Sequence, residues 1–421
     1  MTAAAPRPLE LVTIGDELLA GATVDSNSAA LGRAVETVGW RVARRATVGD
    51  DAGAIAGAVR DALDRCGAVL CTGGLGPTRD DVTKTAVARI FGRALRFDDA
   101  LWRALEERWA RIGGRIPQAN RSQAEVPDGA AVFPNPRGTA PGLALEDERG
   151  RFCVLLPGVP SEMQGILETS VLAWLAPRGG PVRAYRRLVR TTGIAESAVA
   201  DRLAPELDRF RGLEVAFLPD PVGVDLRLSA WSESEKEARA RLDRAEEVVR
   251  ERLGDRVYAT GERDLAEVVG ALLRERGLRL AVAESCTGGL VGARLTAIPG
   301  SSETFWGGVL AYDDAAKTEL LGVAPDMIER HGAVSEEVAT AMAAGVRARS
   351  GTEVGVAVTG IAGPAGGTPD KPVGTVCLAV SASDGERAVR RHLPGDRAQI
   401  RSRAAQAALD LVRRTLLSAT E

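Results

Sequence analysis

Histidine is scarce in this chain, which contains only His331 and His392 among its 421 residues. Because neutral imidazole is the commonest metal ligand in proteins, a metal centre built from several histidines is excluded. A cluster of histidine bases is excluded for the same reason. Proton transfer must therefore be assigned to lysine, tyrosine, aspartate or glutamate side chains.

Cysteine pairs, long apolar runs and excess charge are also lacking. The five cysteines contain no CxxC pair, so neither a disulfide framework nor a cysteine-rich zinc site is expected. No apolar run is long enough to cross a bilayer, and the first ten residues lack a signal-peptide pattern. The formal net charge is −3, so no basic field attracts nucleic acid or an anionic membrane. We therefore expect a cytoplasmic protein without membrane or nucleic-acid partners.

The length of the chain predicts more than one domain, since an ordinary domain has about 100–200 residues. Strands such as LELVTIG (9–15) and AVLCTGG (68–74) alternate with helices in the first part, which predicts an α/β domain over 1–178. A smaller α+β module follows over 179–257, and a second α/β domain over 258–421. The segment 115–141 is rich in proline, glycine and asparagine and is predicted to be a loop.

Three polar segments follow predicted strands of the last domain: AESCTGG (283–289), AYDDAAK (311–317) and TGIAGPAGGTPDKPVG (359–374). Glycines at a strand-to-helix turn allow backbone N–H groups to approach a ligand. The carboxyl ends of parallel strands meet at one edge of a sheet, where α/β folds bind their ligands. The three segments therefore predict one site.

These segments, together with HGAVSEEVA (331–339), resemble the CinA family, whose carboxy-terminal domain is a nicotinamide-nucleotide amidase. The resemblance covers roughly 262–415. It implies hydrolysis of the carboxamide of nicotinamide mononucleotide to nicotinate mononucleotide and ammonia, a step of pyridine-nucleotide salvage that needs no cofactor. The chain departs from the usual family pattern at Asp313 and Asp314, where small or amide-bearing residues are common.

Amide hydrolysis requires a nucleophile, a base and an oxyanion site. Ser285 is the predicted nucleophile, with Lys317 and Tyr312 as the proton-transfer pair. Cys286 is the rival nucleophile, since a thiol at a helix start ionises more easily. The amides of Gly288 and Gly289 are predicted to form the oxyanion hole, and Arg397 or Arg401 to meet the nucleotide phosphate. The residues predicted to contact the substrate are Cys286, Thr287, Gly288, Gly289, Thr359, Gly360, Gly363 and Arg397.

Two amino-terminal segments, IGDELLAG (14–21) and TGGLGPTRDDVTKTA (72–86), resemble the molybdopterin-binding-like domain that opens CinA proteins, a three-layer α/β fold. Some proteins of that group are metal-dependent ADP-ribose pyrophosphatases. The glycine-rich loop suits a phosphate, and Lys84 is predicted to face the diphosphate. Asp80 and Asp81 cap a helix or, with Asp16, hold a divalent cation such as Mg, Mn, Co or Ni. The glycines predicted for this site are Gly73, Gly74 and Gly76.

The middle module resembles the KH-like part of CinA proteins. A nucleic-acid-binding KH loop reads GXXG, whereas the turn here is GIAE (193–196), with Glu196 in place of the second glycine. RNA binding is therefore not expected, and a spacer or dimerisation role is predicted instead.

The leading functional prediction is an amidase of nicotinamide mononucleotide that also has ADP-ribose pyrophosphatase activity. The resemblance further implies a homodimer with nucleotides as its partners. One alternative is a non-catalytic adaptor protein of DNA uptake or damage response, as the family's name suggests. A second alternative is a molybdenum-cofactor enzyme, which the amidase-like carboxy-terminal domain disfavours.

Overall fold

The computed structural model describes residues 5–111 and 113–418, apart from the side chains at 207 and 208. Within these ranges, no helix combines the length and the apolar character needed to cross a lipid bilayer. Contacts divide the chain into two compact units. The first runs to Tyr185 and includes Trp231–Ala238, and the second joins Arg186–Ala230 with the chain from Arg239 onward. The second unit therefore contains most of the middle module and the whole carboxy-terminal domain.

The amino-terminal domain is a sheet with helices on both faces. Its strands are β1 (Arg7–Ile14), β2 (Trp40–Val48), β3 (Ala68–Thr72), β4 (Leu95–Phe97), β5 (Glu125–Pro127), β6 (Ala131–Phe133), β7 (Gly142–Glu146) and β8 (Phe152–Leu156). Its α-helices are α1 (Asp16–Leu19), α2 (Ser26–Val35), α3 (Ala52–Cys66), α4 (Thr83–Ile90), α5 (Asp99–Arg111), α6 (Pro160–Ile166) and α7 (Leu172–Leu175).

The main sheet of this domain has the order β2-β1-β3-β8-β7-β6. Strands β2, β1, β3 and β8 are parallel, whereas β7 pairs antiparallel with β8, and β6 pairs antiparallel with β7. Leu31 of α2 packs in the core on one face, and Ile55 of α3 packs in the core on the other. The predicted three-layer fold is therefore confirmed. The predicted loop over 115–141 is partly wrong, because β5, β6 and a short 3₁₀ turn at Gln118–Ala124 order it.

The middle module is a four-stranded sheet with two helices. The strands are β9 (Arg183–Thr191), β10 (Leu213–Asp220), β11 (Gly223–Ser232) and β12 (Val257–Thr260), and the helices are α8 (Glu196–Leu203) and α9 (Glu235–Leu253). The strand order is β10-β11-β9-β12. Strands β10 and β11 form a hairpin in which Asp220 pairs with Gly223. The predicted α+β character is confirmed.

Over 258–418, the carboxy-terminal domain contains a five-stranded sheet and six α-helices. The strands are β13 (Leu280–Glu284), β14 (Phe305–Leu310), β15 (Val354–Gly360), β16 (Thr375–Ala382) and β17 (Gly385–His392). The helices are α10 (Leu265–Glu275), α11 (Leu290–Thr296), α12 (Asp314–Leu321), α13 (Pro325–His331), α14 (Glu336–Ser350) and α15 (Arg397–Ser418).

The order of this sheet is β14-β13-β15-β16-β17. Strands β14, β13 and β15 are parallel, whereas β16 pairs antiparallel with β15 and β17 pairs antiparallel with β16. Asp264 caps α10, since its carboxylate accepts the N–H of Ala266 at 2.8 Å. Helix α15 begins at Arg397, and its Ile400 and Ala404 are buried in the core.

Candidate functional site

The AESCTGG turn leaves the sheet at the carboxyl end of β13. The N–H of Ser285 donates to the carbonyl of Val358 in β15 at 2.9 Å, and the N–H of Ala311 donates to the carbonyl of Glu284 at 2.8 Å. These bonds hold the chain segments after β13 and β14 side by side. The expected common edge of the three parallel strands is therefore present, with Ser285 and Tyr312 next to adjacent strand ends.

Glu284 is a buried carboxylate that the sequence analysis did not single out. Its side chain is only 2% exposed and accepts the N–H groups of Gly289 at 2.9 Å, Val291 at 3.2 Å and Gly292 at 2.9 Å. The carboxylate thus satisfies the backbone donors that begin α11. The only signal for it in the sequence is an acidic residue at the end of an otherwise apolar strand.

The oxyanion hole predicted at Gly288 and Gly289 does not fit this arrangement. The N–H of Gly289 is used by Glu284, and the N–H of Gly288 donates to the carbonyl of Ser285 at 3.0 Å. A substrate oxyanion would have to displace one of these partners. The prediction is corrected accordingly: the two glycines shape the turn through their positive φ angles of 57° and 94°.

Lys317 is buried, with 2% of its side chain exposed. Its Nζ donates to the carbonyl of Tyr312 at 3.2 Å and to the carboxylate of Asp314 at 3.0 Å. Ser285 is 7% exposed, and no hydrogen bond joins its hydroxyl to Lys317 in the described part of the chain. The two residues thus follow neighbouring strands, but the predicted nucleophile–base hydrogen bond is not formed in this conformation.

Tyr312 is exposed, with 63% of its surface accessible. Its hydroxyl accepts a hydrogen bond from Arg397 Nη2 at 3.1 Å, and Arg397 Nη1 donates to the carbonyl of Gly363 at 2.7 Å. Arg397 therefore joins the segment after β14 to the glycine-rich loop after β15. The phenol of Tyr312 thus contacts Arg397, and the hydrogen bond that Tyr312 accepts from Lys317 is to its backbone carbonyl.

Cys286 is buried beside Gly360, where an added Cβ would lie 3.0 Å from Cys286 Sγ. Burial raises the pKa of the Cys286 thiol to about 12, so it is un-ionised near neutral pH. The carbonyls of Cys286 and Thr287 accept hydrogen bonds from Arg401 at 3.2 and 2.8 Å. Arg401 therefore fixes this turn, and Cys286 has the properties of a small core residue.

The two predicted threonines differ in their hydroxyl contacts. Thr359 donates to the carbonyl of Ala333 at 2.8 Å, which ties the end of β15 to the HGAVSEEVA segment. Thr287 is fully buried, and its hydroxyl has no hydrogen-bond partner among the described residues. A buried hydroxyl without a partner is costly, so Thr287 has unused capacity to bind a polar ligand atom.

The amino-terminal glycine turn follows β3. Gly73 and Gly74 have φ angles of 115° and 65°, and an added Cβ would approach the carbonyl of Ile14 and the hydroxyl of Thr83 to 2.1 Å in each case. Only glycine fits such contacts. Gly76 donates its N–H to Asp81 at 2.7 Å.

Asp81 organises this turn. Its carboxylate also accepts the N–H of Thr78 at 2.7 Å and the hydroxyl of Thr78 at 2.5 Å. The carboxylate of Asp16 instead accepts the N–H of Asp50 at 3.3 Å, the carboxylate of Asp50 accepts the N–H of Asp16 at 3.0 Å, and Asp80 is exposed. Within 5–111 and 113–418, no three His, Cys, Asp or Glu side chains are placed to hold a metal ion. The predicted ligand set of Asp16, Asp80 and Asp81 is therefore not assembled.

Lys84 lies in α4 beside the turn, and its Nζ donates to the carbonyl of Ser122. Burial lowers the pKa of Lys84 to about 8, while the negative charges of Glu125 and Asp81 oppose this change. In this conformation the ammonium group therefore contacts the 3₁₀ turn, and its predicted contact with a diphosphate is not tested.

Asn27 is a second residue that the sequence analysis missed. Its Nδ2 donates to the hydroxyl of Thr72 at 2.9 Å and to the carbonyl of Gly158 at 2.7 Å, at the carboxyl ends of β3 and β8. Its Oδ1 and the hydroxyl of Thr83 are buried, and neither has a partner in the described residues. Two unsatisfied polar atoms thus lie close to the glycine turn.

Together these features define a mixed α/β protein of three domains, in which the two larger domains each place a glycine-rich turn at the carboxyl ends of parallel strands. Three family models match successive parts of the chain: "Probable molybdopterin binding domain" at 10–177, "Damage-inducible protein CinA KH domain" at 186–259 and "CinA C-terminal domain" at 262–416.

The whole chain also has relatives of the same length. A CinA-like protein of Gemmatimonas aurantiaca is 54% identical over 410 residues, which cover 96% of each chain. A CinA-like protein of Salinibacter ruber is 45% identical over 410 residues, covering 97% of this chain and 99% of the relative. The crystal structure of competence/damage inducible protein CihA from Agrobacterium tumefaciens is 38% identical, covers 37% of this chain and 94% of its own, and has a TM-score of 0.35. The chain belongs to the CinA family.

Proposed function

We propose that the carboxy-terminal domain hydrolyses the carboxamide of nicotinamide mononucleotide, giving nicotinate mononucleotide and ammonia. The supporting observation is the pairing of β13 with β14, which brings the chain after Ser285 beside the segment that carries Tyr312 and Lys317. The un-ionised Cys286 supports Ser285 as the nucleophile.

In the proposed reaction, Lys317 Nζ first releases a proton to solvent, because an ammonium group has no lone pair with which to act as a base. Ser285 Oγ then attacks the carboxamide carbon, and its proton passes to the amine of Lys317. The C–N bond breaks and ammonia leaves with that proton, which gives an ester on Ser285. A water molecule, deprotonated by Lys317, then hydrolyses the ester and restores the serine hydroxyl. Because Lys317 Nζ now contacts Tyr312 and Asp314, substrate binding must bring it within reach of Ser285.

The test is ammonia release from nicotinamide mononucleotide by the full chain. Ser285→Ala should lower kcat by at least about a thousandfold, because the nucleophile is lost. The neighbouring Cys286→Ala should retain activity within about threefold and serves as the matched control. Full activity of Ser285→Ala, or loss of activity in Cys286→Ala alone, would reject the assignment. Absence of ammonia release from the wild-type chain would favour the adaptor alternative.

We also propose that the amino-terminal domain binds ADP-ribose at the glycine turn. Asn27 Oδ1 and Thr83 Oγ1 support this proposal, since both are buried without a partner among the described residues. Thr83 Oγ1 lies beside Gly74, and Asn27 Nδ2 donates to the hydroxyl of Thr72, the residue before Gly73. Calorimetric titration of the full chain with ADP-ribose should show binding that Asn27→Ala weakens. Release of AMP in the presence of cobalt or magnesium would extend the proposal to hydrolysis. No heat on titration would reject it.

We also propose that the protein forms a homodimer in which the two chains meet at the exposed surface of β14. This strand is at the edge of its sheet and exposes Trp306 and Leu310. Exposed apolar side chains on an edge strand favour pairing with a second chain. Light scattering should give the mass of two chains for the wild type and of one chain for Trp306→Lys. A monomeric wild type would reject the proposal.

A further inference from the structure

A cavity of about 510 Å³ lies within the second compact unit, between the middle module and the carboxy-terminal domain. Its volume falls within the range of small-molecule sites in proteins. One wall comes from the GIAE turn and from the turn between β10 and β11. The opposite wall comes from β17 and α15. None of the residues predicted for amide hydrolysis lines this cavity, so it is separate from the proposed catalytic site.

The GIAE turn takes the place of a nucleic-acid-binding loop, yet here it faces the chain's own carboxy-terminal domain. The carbonyl of Gly193 accepts a hydrogen bond from Arg256 at 2.7 Å. Next to the turn, the hydroxyl of Thr192 accepts a hydrogen bond from Gln406 Nε2 of α15 at 3.1 Å. Thr192 and Gln406 are both buried. The turn is therefore part of a fixed internal wall.

Much of the lining is apolar. On the α15 side, Ala407 and Leu411 are only partly buried and line the cavity. Val222 and Val224 face the same space from the middle module. Apolar walls that are not packed against each other favour a ligand with an apolar body.

The charged part of the lining has a positive excess. Four arginines and three acidic residues line the cavity, and one pair of these, Arg414 and Asp410, is already joined at 2.7 Å. Three arginines then face two carboxylates, Glu196 and Asp220, which leaves one unbalanced positive charge. The carboxylate of Asp220 accepts the N–H of Val222 at 3.0 Å, which occupies part of its capacity.

Two of the three remaining arginines donate to neutral carbonyl groups. Arg256 donates to Gly193, and Arg403 donates to Pro221 at 2.6 Å and also to Pro394. The exposed side chain of Arg391 in β17 has no hydrogen bond or ion pair within 5–111 and 113–418, although the backbone of this residue pairs with Val376 of β16. An arginine beside an apolar cavity is suited to a carboxylate, sulfonate or phosphate group.

We propose that this cavity is a binding site for a small organic anion with an aromatic or branched apolar body. The apolar walls hold the body, and Arg391 pairs with the anionic group. Because both modules contribute walls, a bound ligand would hold the GIAE turn against α15. The site does not depend on the amidase proposal, since the two share no residue.

The test uses 8-anilinonaphthalene-1-sulfonate, a fluorescent amphipathic anion, and the uncharged analogue N-phenyl-1-naphthylamine with the full chain. Ala407→Phe and Ala195→Trp fill the cavity from opposite walls. Arg391→Ala removes the proposed anion partner. Arg387→Ala, an exposed arginine of the same strand outside the lining, is the matched control. Unchanged thermal unfolding of each variant shows that it is folded.

We expect one sulfonate probe per chain, with about tenfold weaker binding in each filled variant. Arg391→Ala should weaken sulfonate binding about three- to tenfold relative to Arg387→Ala and leave the uncharged analogue unaffected. Equal sulfonate binding by the wild type and both filled variants would overturn the site. Equal binding by Arg391→Ala and Arg387→Ala would overturn the anionic class of the ligand.

Discussion

Single buried polar residues hold the carboxy-terminal site in place, and Glu284 has the most hydrogen bonds among them. Its carboxylate accepts three backbone N–H groups at the start of α11. Each such bond to a charged group stabilises the fold, and a buried donor that loses its acceptor is costly. Glu284 therefore sets the shape of the turn in which Ser285 lies.

Replacing Glu284 with Gln should lower the free energy of unfolding by about 1–3 kcal/mol, since an amide offers one acceptor oxygen where the carboxylate has two. Urea unfolding, monitored by tryptophan fluorescence, measures this change in the free energy of unfolding. The control is Glu303→Gln, which breaks the exposed contact with Arg274 and should cost less than about 1 kcal/mol. Equal costs for the two variants would contradict the role of Glu284.

Lys84 makes stability depend on pH. Its pKa of about 8 in the folded chain lies below the value of about 10.4 expected in the unfolded chain. Between these values the unfolded chain binds more protons, so the contribution of Lys84 makes stability rise with pH. Below pH 8 the folded chain bears the full cost of burying the ammonium, at most about 3 kcal/mol.

Lys84→Met should therefore gain stability over the wild type at pH 7, and this gain should shrink by about 2–3 kcal/mol by pH 10. Urea unfolding of both proteins at the two pH values measures the difference. Lys236→Met, which alters an exposed lysine, should show a constant difference. A pH-independent difference for Lys84→Met would show that the ammonium is solvated.

For single residues, the sequence predicted which side chains lie at the strand ends, but it did not predict which groups form hydrogen bonds with one another. The choice between Ser285 and Cys286 stayed open because burial of the thiol depends on Gly360, more than seventy positions away. The amides of Gly288 and Gly289 were predicted to be available because the local pattern does not reveal that the carboxylate of Glu284 turns back onto α11.

Among the elements, the turn after β3 has the strictest steric requirements. Gly74→Ala would place a Cβ 2.1 Å from Thr83 Oγ1 on a backbone with a φ of 65°. We expect a loss of about 1–3 kcal/mol in unfolding free energy and weaker ADP-ribose binding. Gly57→Ala, in the middle of α3 with nothing within 4 Å of the added Cβ, should stabilise by about 0.5–1 kcal/mol. A similar effect of both changes would contradict the requirement for glycine.

Buried elements were predicted better than exposed ones. The apolar strands β1, β3, β13 and β15 appear in the sequence as apolar runs because both of their faces are covered. Strand β17 was missed, since GERAVRRH is charged and largely exposed at the edge of its sheet. Strands β16 and β17 are joined by a two-residue turn and therefore pair antiparallel. The sequence of β17 does not alternate apolar and polar residues, so this strand could not be recognised from its pattern.

For the molecule as a whole, the middle module and the carboxy-terminal domain belong to one compact unit. Arg413 Nη2 donates to the carbonyl of Asp255 at 2.5 Å, and Gln406 links Thr192 to Arg294. These contacts join residues more than a hundred positions apart. Neither they nor the cavity beside them could be predicted from local patterns.

Removal of the middle module should therefore destabilise the carboxy-terminal domain. A fragment of residues 258–421 should unfold about 5–10 °C below a fragment of residues 186–421, because Gln406 and the apolar cavity wall become exposed. Differential scanning calorimetry of both fragments measures their midpoint temperatures of unfolding. Equal midpoints would show that the module is only a spacer.

The central claim is that Ser285 forms the covalent bond to the substrate. Mass spectrometry of the full chain, quenched in acid during turnover of nicotinamide mononucleotide, tests it directly. We expect the peptide containing Ser285 to gain the mass of nicotinate mononucleotide less one water. The adduct should map to Ser285, and Ser285→Ala should lack it. An adduct on Cys286, or continued ammonia release by Ser285→Ala, would contradict the account.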